Sequence, residues 1–220
     1  MVADTHERVK RPVEAVIFDY GGVLRPDGRE AWTAIDEQAG LPRGALWAAW
    51  HDIPEYQQSR QGAIDADVFR AAIVRALALG VDETRAEAAL GALERHLASL
   101  THVDPDLRAL IERLRGAGRV KLGLLSNAGR GFAERLRARG VTALFDDVVV
   151  SSAVGLAKPD PAVFRLAAER LGVAPDACLM IDDQPQHLPG AVAAGLRTFH
   201  FTPGSLGDLV ACLQREGALP

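Results

Sequence analysis

From Asp104 onward the chain alternates short apolar runs with longer stretches of helical period, and this alternation narrows the fold more than any other feature. Asp104 and Pro105 read as an N-cap and a first-turn proline; Leu107, Leu110, Ile111 and Leu114 follow at helical spacing until Gly116 to Gly118 end the helix. Val120 to Leu125 form a strand-like run that leads into Ser126 and Asn127. A helix around Phe132 to Arg139 stops at Gly140, and Val148 to Val150 make the next strand. A loop with Lys158, Pro159, Asp160 and Pro161 opens a helix that runs to Leu171, with Gly172 behind it. Ala177 to Ile181 run into Asp182 and Asp183, a helix reaches Ala194, Arg197 to Phe201 form a last strand, and a closing helix starts near Ser205. Repeated βα units need a parallel sheet, because each right-handed crossover lays its helix on one sheet face and both faces end up covered. The expected fold class is therefore α/β, a doubly wound parallel sheet.

One more strand precedes these. In Val13 to Leu24, VEAVIFDYGGVL, the strand formers Ala15 to Phe18 lead into Asp19, and Gly21 and Gly22 break the pattern. Ligands of open α/β sheets gather beyond the carboxyl ends of the strands, so Asp19 either faces a site or opens a glycine turn. RPDG after Leu24 reads as a turn, and from Arg29 to about Leu100 the period is helical throughout: Trp32 and Ile35; Leu46, Trp47 and Trp50; Val68, Phe69, Ala72, Ile73 and Leu77; Leu90, Leu93, Leu97 and Leu100. The stretch is too long for a loop and supplies no strand, so it is placed as a helical insertion at 29–100 in an α/β core made of 1–28 and 101–220. It leaves the core directly after Asp19 and would hang over the site. Within it, Trp47 and Trp50 are read as helical core, and His51 and Arg60 as solvent-facing. Met1 to Arg11 read as a polar tail.

Charge and composition exclude several function classes. Net charge is −4 and no Lys/Arg-rich face stands out, which argues against nucleic-acid and anionic-membrane partners and for a small molecule. Cys178 and Cys212 form no CxxC pair and have no metal-ligand spacing, so both read as core or near-core thiols in a reducing compartment. The N-terminus has no apolar signal segment and no later stretch is long enough to span a bilayer, so a cytoplasmic location is expected. The GAG of Gly116 to Gly118 follows a helix and precedes a strand, the reverse of a dinucleotide loop, and there is no GxxxxGK phosphate loop.

Four polar features then share one sheet edge: Asp19, Ser126 with Asn127, Lys158, and Asp182 with Asp183. Converging carboxylates repel and raise one another's pKa values unless a cation neutralises them. Oxygen ligands without His or Cys favour magnesium, which takes one or two carboxylates together with substrate phosphate oxygens. Lys158, the Ser126 hydroxyl and backbone N–H groups near Gly21 and Gly22 suit a transferring phosphoryl group, which the Asp19 carboxylate can attack to give an aspartyl-phosphate. Singly, Ser126 is equally a strand-end cap, Lys158 a solvated loop residue and the acid pair a turn.

These residues resemble the haloacid dehalogenase (HAD) superfamily of hydrolases, mostly phosphatases. IFDYGGVL looks like its first motif, LGLLSN the second, GLAKPDP the third and LMIDDQ the fourth. The resemblance implies a Rossmannoid core with a helical cap. It implies Asp19 as nucleophile and metal ligand, Gly21 ligating through its carbonyl, and Asp182 and Asp183 completing a magnesium site. Asp183 is the closer match to a direct ligand, and Asp182 is direct or outer-sphere. Gly22, Ser126, Asn127 and Lys158 would hold the phosphoryl oxygens, with Lys158 also counted as catalytic.

One position departs from the pattern. Most phosphatases of the superfamily carry a second Asp two residues after the nucleophile as general acid and base, and here that position is Gly21. General acid-base catalysis is typically worth about a hundred- to ten-thousand-fold. Relatives with Gly there are still assigned as phosphatases, so water, a substrate group or a nearby side chain such as His187 would take the role. The expected function is a magnesium-dependent phosphatase for a small phosphorylated metabolite. A metal-independent dehalogenase and a binding protein without turnover are the alternatives, and the oligomeric state stays open between monomer and homodimer.

Overall fold

The computed structural model describes residues 11–26, 28–100 and 103–220. Met1 to Lys10 of the expected tail, Asp27 of the RPDG turn and the expected segment boundary at 101 lie outside them. Strand β1 (Ala15–Phe18) is followed by five helices, α1 (Arg29–Ala39), α2 (Ala45–His51), α3 (Pro54–Arg60), α4 (Ala66–Leu77) and α5 (Glu83–Ser99). Then come α6 (Pro105–Ala117), β2 (Lys121–Ser126), α7 (Phe132–Ala138), β3 (Asp147–Val150), α8 (Ser151–Val154), α9 (Pro161–Leu171), β4 (Cys178–Asp182), α10 (Leu188–Ala193), β5 (Arg197–His200) and α11 (Leu206–Arg215).

The strands form one sheet in the order β3-β2-β1-β4-β5, and every pairing is parallel. Side chains alternate across it, as the pleat requires. Val16, Phe18, Leu122, Leu124, Leu179 and Ile181 pack on one face with Leu107, Leu110, Ile111 and Leu114 of α6 and Leu209 and Leu213 of α11. Ala15, Ile17, Leu125, Val149, Cys178 and Met180 face the other way, onto Val163, Phe164, Ala167 and Leu171 of α9 and Ala191 of α10. Gly123 is tied to this second face, because a Cβ there would lie 2.9 Å from the Leu171 side chain. Helix α6 begins where the sequence predicts: Asp104 accepts from the Asp106 and Leu107 amides, with Pro105 in the first turn.

Element ends shift by a residue or so. Strand β2 runs to Ser126 and β4 to Asp182, because pairing extends the ladder to Ser126 beside Val150 and Asp182 beside His200. Gly116 lies inside α6, and the short helix α8 has no period long enough to read from sequence. Cys178 is buried and Cys212 half-buried, and the two do not form a disulfide with each other. Among the described residues no helix is long and apolar enough to cross a membrane.

Helices α1 to α5 close around an apolar cluster of their own, including Trp32, Leu46, Phe69, Ile73, Leu90 and Leu93. The buried Asp36 carboxylate accepts from the Gly44 and Leu46 amides and so caps α2 from α1. Two expectations need correction. Val68 is 50% exposed although its spacing put it on the apolar face. His51 and Arg60 are half-buried, not solvent-facing: His51 stacks on Trp47 with centroids 3.9 Å apart, and the Arg60 guanidinium lies 4.5 Å from the Tyr56 ring centroid. Aromatic faces give both groups a partly desolvated place that hydrophobic spacing does not reveal.

The helical segment rests on loops at the carboxyl edge of the sheet. Arg130, in the loop after β2, donates to the Gly62 carbonyl through Nε at 3.0 Å and Nη2 at 2.6 Å, and pairs with Asp65 at 2.8 Å. The surfaces meet at glycines: a Cβ on Gly62 would lie 2.3 Å from the Ser152 carbonyl oxygen, and one on Gly129 2.8 Å from Ser59 Oγ.

Candidate active site

The parallel register brings the polar residues together. Phe18 pairs with Leu124 and Ile181, so Asp19, one residue further, stands level with Asp182 and with Leu125, one residue before Ser126 ends β2. Lys158 arrives from the loop before α9 and is buried with them. Its ammonium lies 2.6 Å from Asp182 Oδ2 and 2.9 Å from Asp19 Oδ1. The Tyr20 amide also donates to Asp19 Oδ1, at 2.7 Å, whereas no described residue donates to Oδ2. One Asp19 oxygen is thus held by two donors and the other by none among the described residues.

Each remaining expected site residue has a definite place. Asn127 gives both ends of its amide to the Lys158 backbone: Oδ1 accepts from the Lys158 N–H at 2.9 Å and Nδ2 donates to its carbonyl at 2.8 Å. Its side chain therefore positions Lys158, with one amide N–H of Nδ2 beyond these two bonds. Ser126 is buried at the last position of β2. Gly22 gives its N–H to the Arg25 carbonyl at 2.7 Å, so that amide is not on offer to a phosphate as expected. Its contribution is space, since a Cβ would lie 2.1 Å from Asp183 Oδ2, and its φ of +80° favours glycine. At Gly21 a Cβ would face Arg25 Nη2 at 3.9 Å.

Asp182 is the most heavily engaged of the three acids. Besides Lys158, it accepts from the Gln184 amide at 2.8 Å and from His187 Nδ1 at 3.0 Å, so the imidazole braces the acid pair. Asp183 Oδ2 accepts from Gln184 Nε2 at 2.7 Å, but its Oδ1 is buried with no hydrogen-bond partner. Two contributors gave no sequence signal. Ser151 Oγ accepts from the Ala128 N–H at 3.0 Å and donates to the Ala128 carbonyl at 3.3 Å, which fixes the loop after Ser126. His187 was a candidate only for proton transfer, and nothing in its spacing pointed to Asp182.

Burial pushes the Asp19 carboxyl up to about 7; Lys158 opposes this, and the neighbouring Asp182 and Asp183 add to it. Burial acts on Asp182 in the same direction, but Lys158 and His187 outweigh it and hold the carboxyl down at about 2. Asp183 is raised by burial and then by Asp182. Burial alone would lower Lys158, yet its two carboxylate partners raise it, so the ammonium stays charged.

One ligand atom from each of Asp19, Asp182 and Asp183 can be chosen so that all lie within 4.8 Å of one another. The donors are all carboxylate oxygens, two of these acids are raised toward neutrality by crowding and burial, and one buried oxygen lacks a partner. That set fits a hard divalent cation such as magnesium.

A model of haloacid dehalogenase-like hydrolases matches residues 13–195. A phosphatase of Mycobacterium tuberculosis is 30% identical over 196 residues, covering 85% of this chain and 86% of its own. A phosphorylated carbohydrates phosphatase of Thermotoga maritima is 30% identical over 207 residues, covering 92% of this chain and 91% of its own. Among solved structures, a HAD family enzyme variant of Bacteroides thetaiotaomicron, in complex with magnesium and inorganic phosphate, superposes with a TM-score of 0.63. It covers 87% of this chain and 95% of its own, and at 21% identity the likeness is one of fold.

Proposed function

The chain belongs to the haloacid dehalogenase-like hydrolases, and on that premise we propose that it is a magnesium-dependent phosphatase of small phosphorylated metabolites. The observation that carries the reading is the asymmetry of Asp19: Lys158 and the Tyr20 amide hold Oδ1, and Oδ2 is unengaged at the end of a central strand. In this mechanism Oδ2 attacks phosphorus, the bond to the leaving oxygen breaks, and water then cleaves the aspartyl-phosphate to free phosphate and restore Asp19. Lys158 orients the nucleophile and offsets negative charge in the transition state, and Ser126 and the backbone after it hold phosphoryl oxygens. Asp19, Asp182, Asp183 and the Gly21 carbonyl would hold magnesium, which supplies charge neutralisation for the phosphoryl group. Helices α1 to α5, residues 29–100, serve as a cap that selects the substrate. With glycine at position 21, the leaving oxygen takes its proton from water or from the substrate itself, and His187 acts by bracing Asp182. Two cysteines that do not pair with each other accord with a reducing, cytoplasmic compartment.

Halide displacement from carbon by Asp19 has no use for three converging carboxylates, and the unpartnered Asp183 oxygen does not serve it. Phosphate release from sugar phosphates, nucleotides and p-nitrophenyl phosphate, with magnesium or EDTA, tests the proposal on wild type and Asp19→Asn. Release is expected to need both the metal and Asp19. Equal release in EDTA would sink the reading. Chloride release from 2-chloro acids in EDTA would establish the dehalogenase instead, and tight magnesium and phosphate binding without turnover of any ester would establish a binding protein.

A further inference from the structure

Two arginines sit where the helical segment meets the core, and they are used differently. Arg130 spends its donors on the Gly62 carbonyl and on Asp65, as a strap between the two parts. Arg60, the last residue of α3, makes no hydrogen bond or ion pair to any described residue, and its Nε is buried without a partner. Its guanidinium lies over the Tyr56 ring at 4.5 Å and the Phe69 ring at 5.8 Å, which fixes its plane and leaves its edge of donors unspent. That edge faces the core: Arg60 Nη1 is 3.8 Å from where a Cβ on Gly129 would stand.

Gly129 is three residues past Ser126, in the loop that Ser151 pins at Ala128. Three residues of chain span at most about 11 Å. Arg60 therefore lies within a small molecule's length of the phosphoryl end of the site. A half-buried, unpaired guanidinium is costly unless an anion completes it, and its planar fork matches a carboxylate or phosphate in two-point contact.

Building on the phosphatase reading, we propose that Arg60 is a specificity residue that binds a second anionic group on the leaving part of the substrate. The substrate class is then a phosphomonoester of an alcohol that itself bears a carboxylate or a further phosphate. The seated helical segment delivers the guanidinium, and the absence of a side chain at Gly129 makes room for the neighbouring Ser59, whose Oγ a Cβ there would meet at 2.8 Å.

The test compares kcat/KM for matched esters: 3-phosphoglycerate, glycerol 3-phosphate as its uncharged-tail counterpart, a bisphosphate of similar length, and p-nitrophenyl phosphate. Wild type is expected to favour the esters with a second anion by about ten- to a hundredfold, mostly through KM, the usual worth of a charged hydrogen bond. In Arg60→Gln that ratio falls toward one, and Arg60→Lys restores part of it. The carboxylate and bisphosphate arms show which anion is taken. Turnover of all four esters without preference in wild type overturns this inference and leaves the phosphatase reading standing. No turnover of any ester overturns both. A preference that survives unchanged in Arg60→Gln assigns recognition elsewhere and also overturns it. Because the wild-type ratio is itself a test, poor folding of a variant does not rescue the proposal.

Discussion

Asn127 and Lys158 hold each other by two reciprocal hydrogen bonds, side-chain amide to backbone, across 31 residues of sequence. The ammonium that bridges Asp19 and Asp182 is aimed by a residue that itself touches neither carboxylate.

Asn127→Ala removes both bonds and should cost about 1 to 3 kcal/mol of stability, at roughly 1 kcal/mol for each bond lost. The turnover number for p-nitrophenyl phosphate should fall at least tenfold, since small misplacements of catalytic groups are expensive. Urea unfolding and steady-state kinetics measure the two effects separately. A normal turnover number would mean that Lys158 is aimed without Asn127.

Replacing Lys158 by Met leaves Asp19 and Asp182 facing each other without their shared cation. Breaking a buried ion pair from one side costs about 3 to 5 kcal/mol. Both carboxyls should also titrate higher, because their largest favourable neighbour is gone. Chemical denaturation at pH 8 checks the first effect, and carboxyl titration by NMR the second; an unshifted Asp182 would contradict the present assignment of its low value to Lys158 and His187.

The raised Asp19 carboxyl makes a signed prediction about pH. Its folded value of about 7 exceeds the ordinary carboxyl value of 3.8, so between these values the folded chain holds a proton that the unfolded chain has released. This group's contribution to stability therefore falls as pH rises from about 4 to 7. Asp19→Asn should stabilise the metal-free protein at pH 8, by something on the order of 4 kcal/mol, and the gain should largely vanish near pH 4. Saturating magnesium should reverse the order at pH 8, because the metal binds the ionised wild type. Thermal melts of both proteins in EDTA and in magnesium decide this.

Much of this arrangement was legible from local chemistry. Strand formers before Asp19 and before Asp182, and Asp104 with Pro105 at the head of a helix, place their elements within a residue or two, because period and caps are written in neighbouring residues. The pairing partners were not legible. Nothing near Asn127 says that its amide will be taken by a backbone 31 residues away, nor does Ser151 announce its bond to Ala128. Arg60 misled for a related reason: a charged residue at a helix end reads as solvated until Tyr56 and Phe69 are seen beneath it. Spacing reports which face is apolar, and burial of polar groups is settled by chain segments that meet only in three dimensions.

Gly22 is expected to tolerate no side chain. Alanine there would need φ near +80° and would place its methyl 2.1 Å from Asp183 Oδ2. Backbone strain of this kind costs about 1 to 3 kcal/mol, and the displaced Asp183 should raise the magnesium needed for half-maximal activity at least tenfold. Metal titration of activity, with a melting curve in EDTA alongside, separates the two. An unchanged metal requirement would remove Asp183 from the proposed ligands.

The central place of β1 also has a consequence in time. Synthesis from the amino end delivers Asp19 first, yet both neighbours of its strand, β2 and β4, emerge only after helices α1 to α6. Those helices have mostly local partners and can form early, whereas β1 waits for distant ones. Until Lys158 and then Asp182 and Asp183 have been made, Asp19 has no counter-charge and no companions for a cation. A growing or truncated chain therefore passes through no form with the whole centre: a ribosome stalled short of β2 releases only a helical module and an unpaired strand, and one stalled short of β4 still lacks both Asp182 and Asp183.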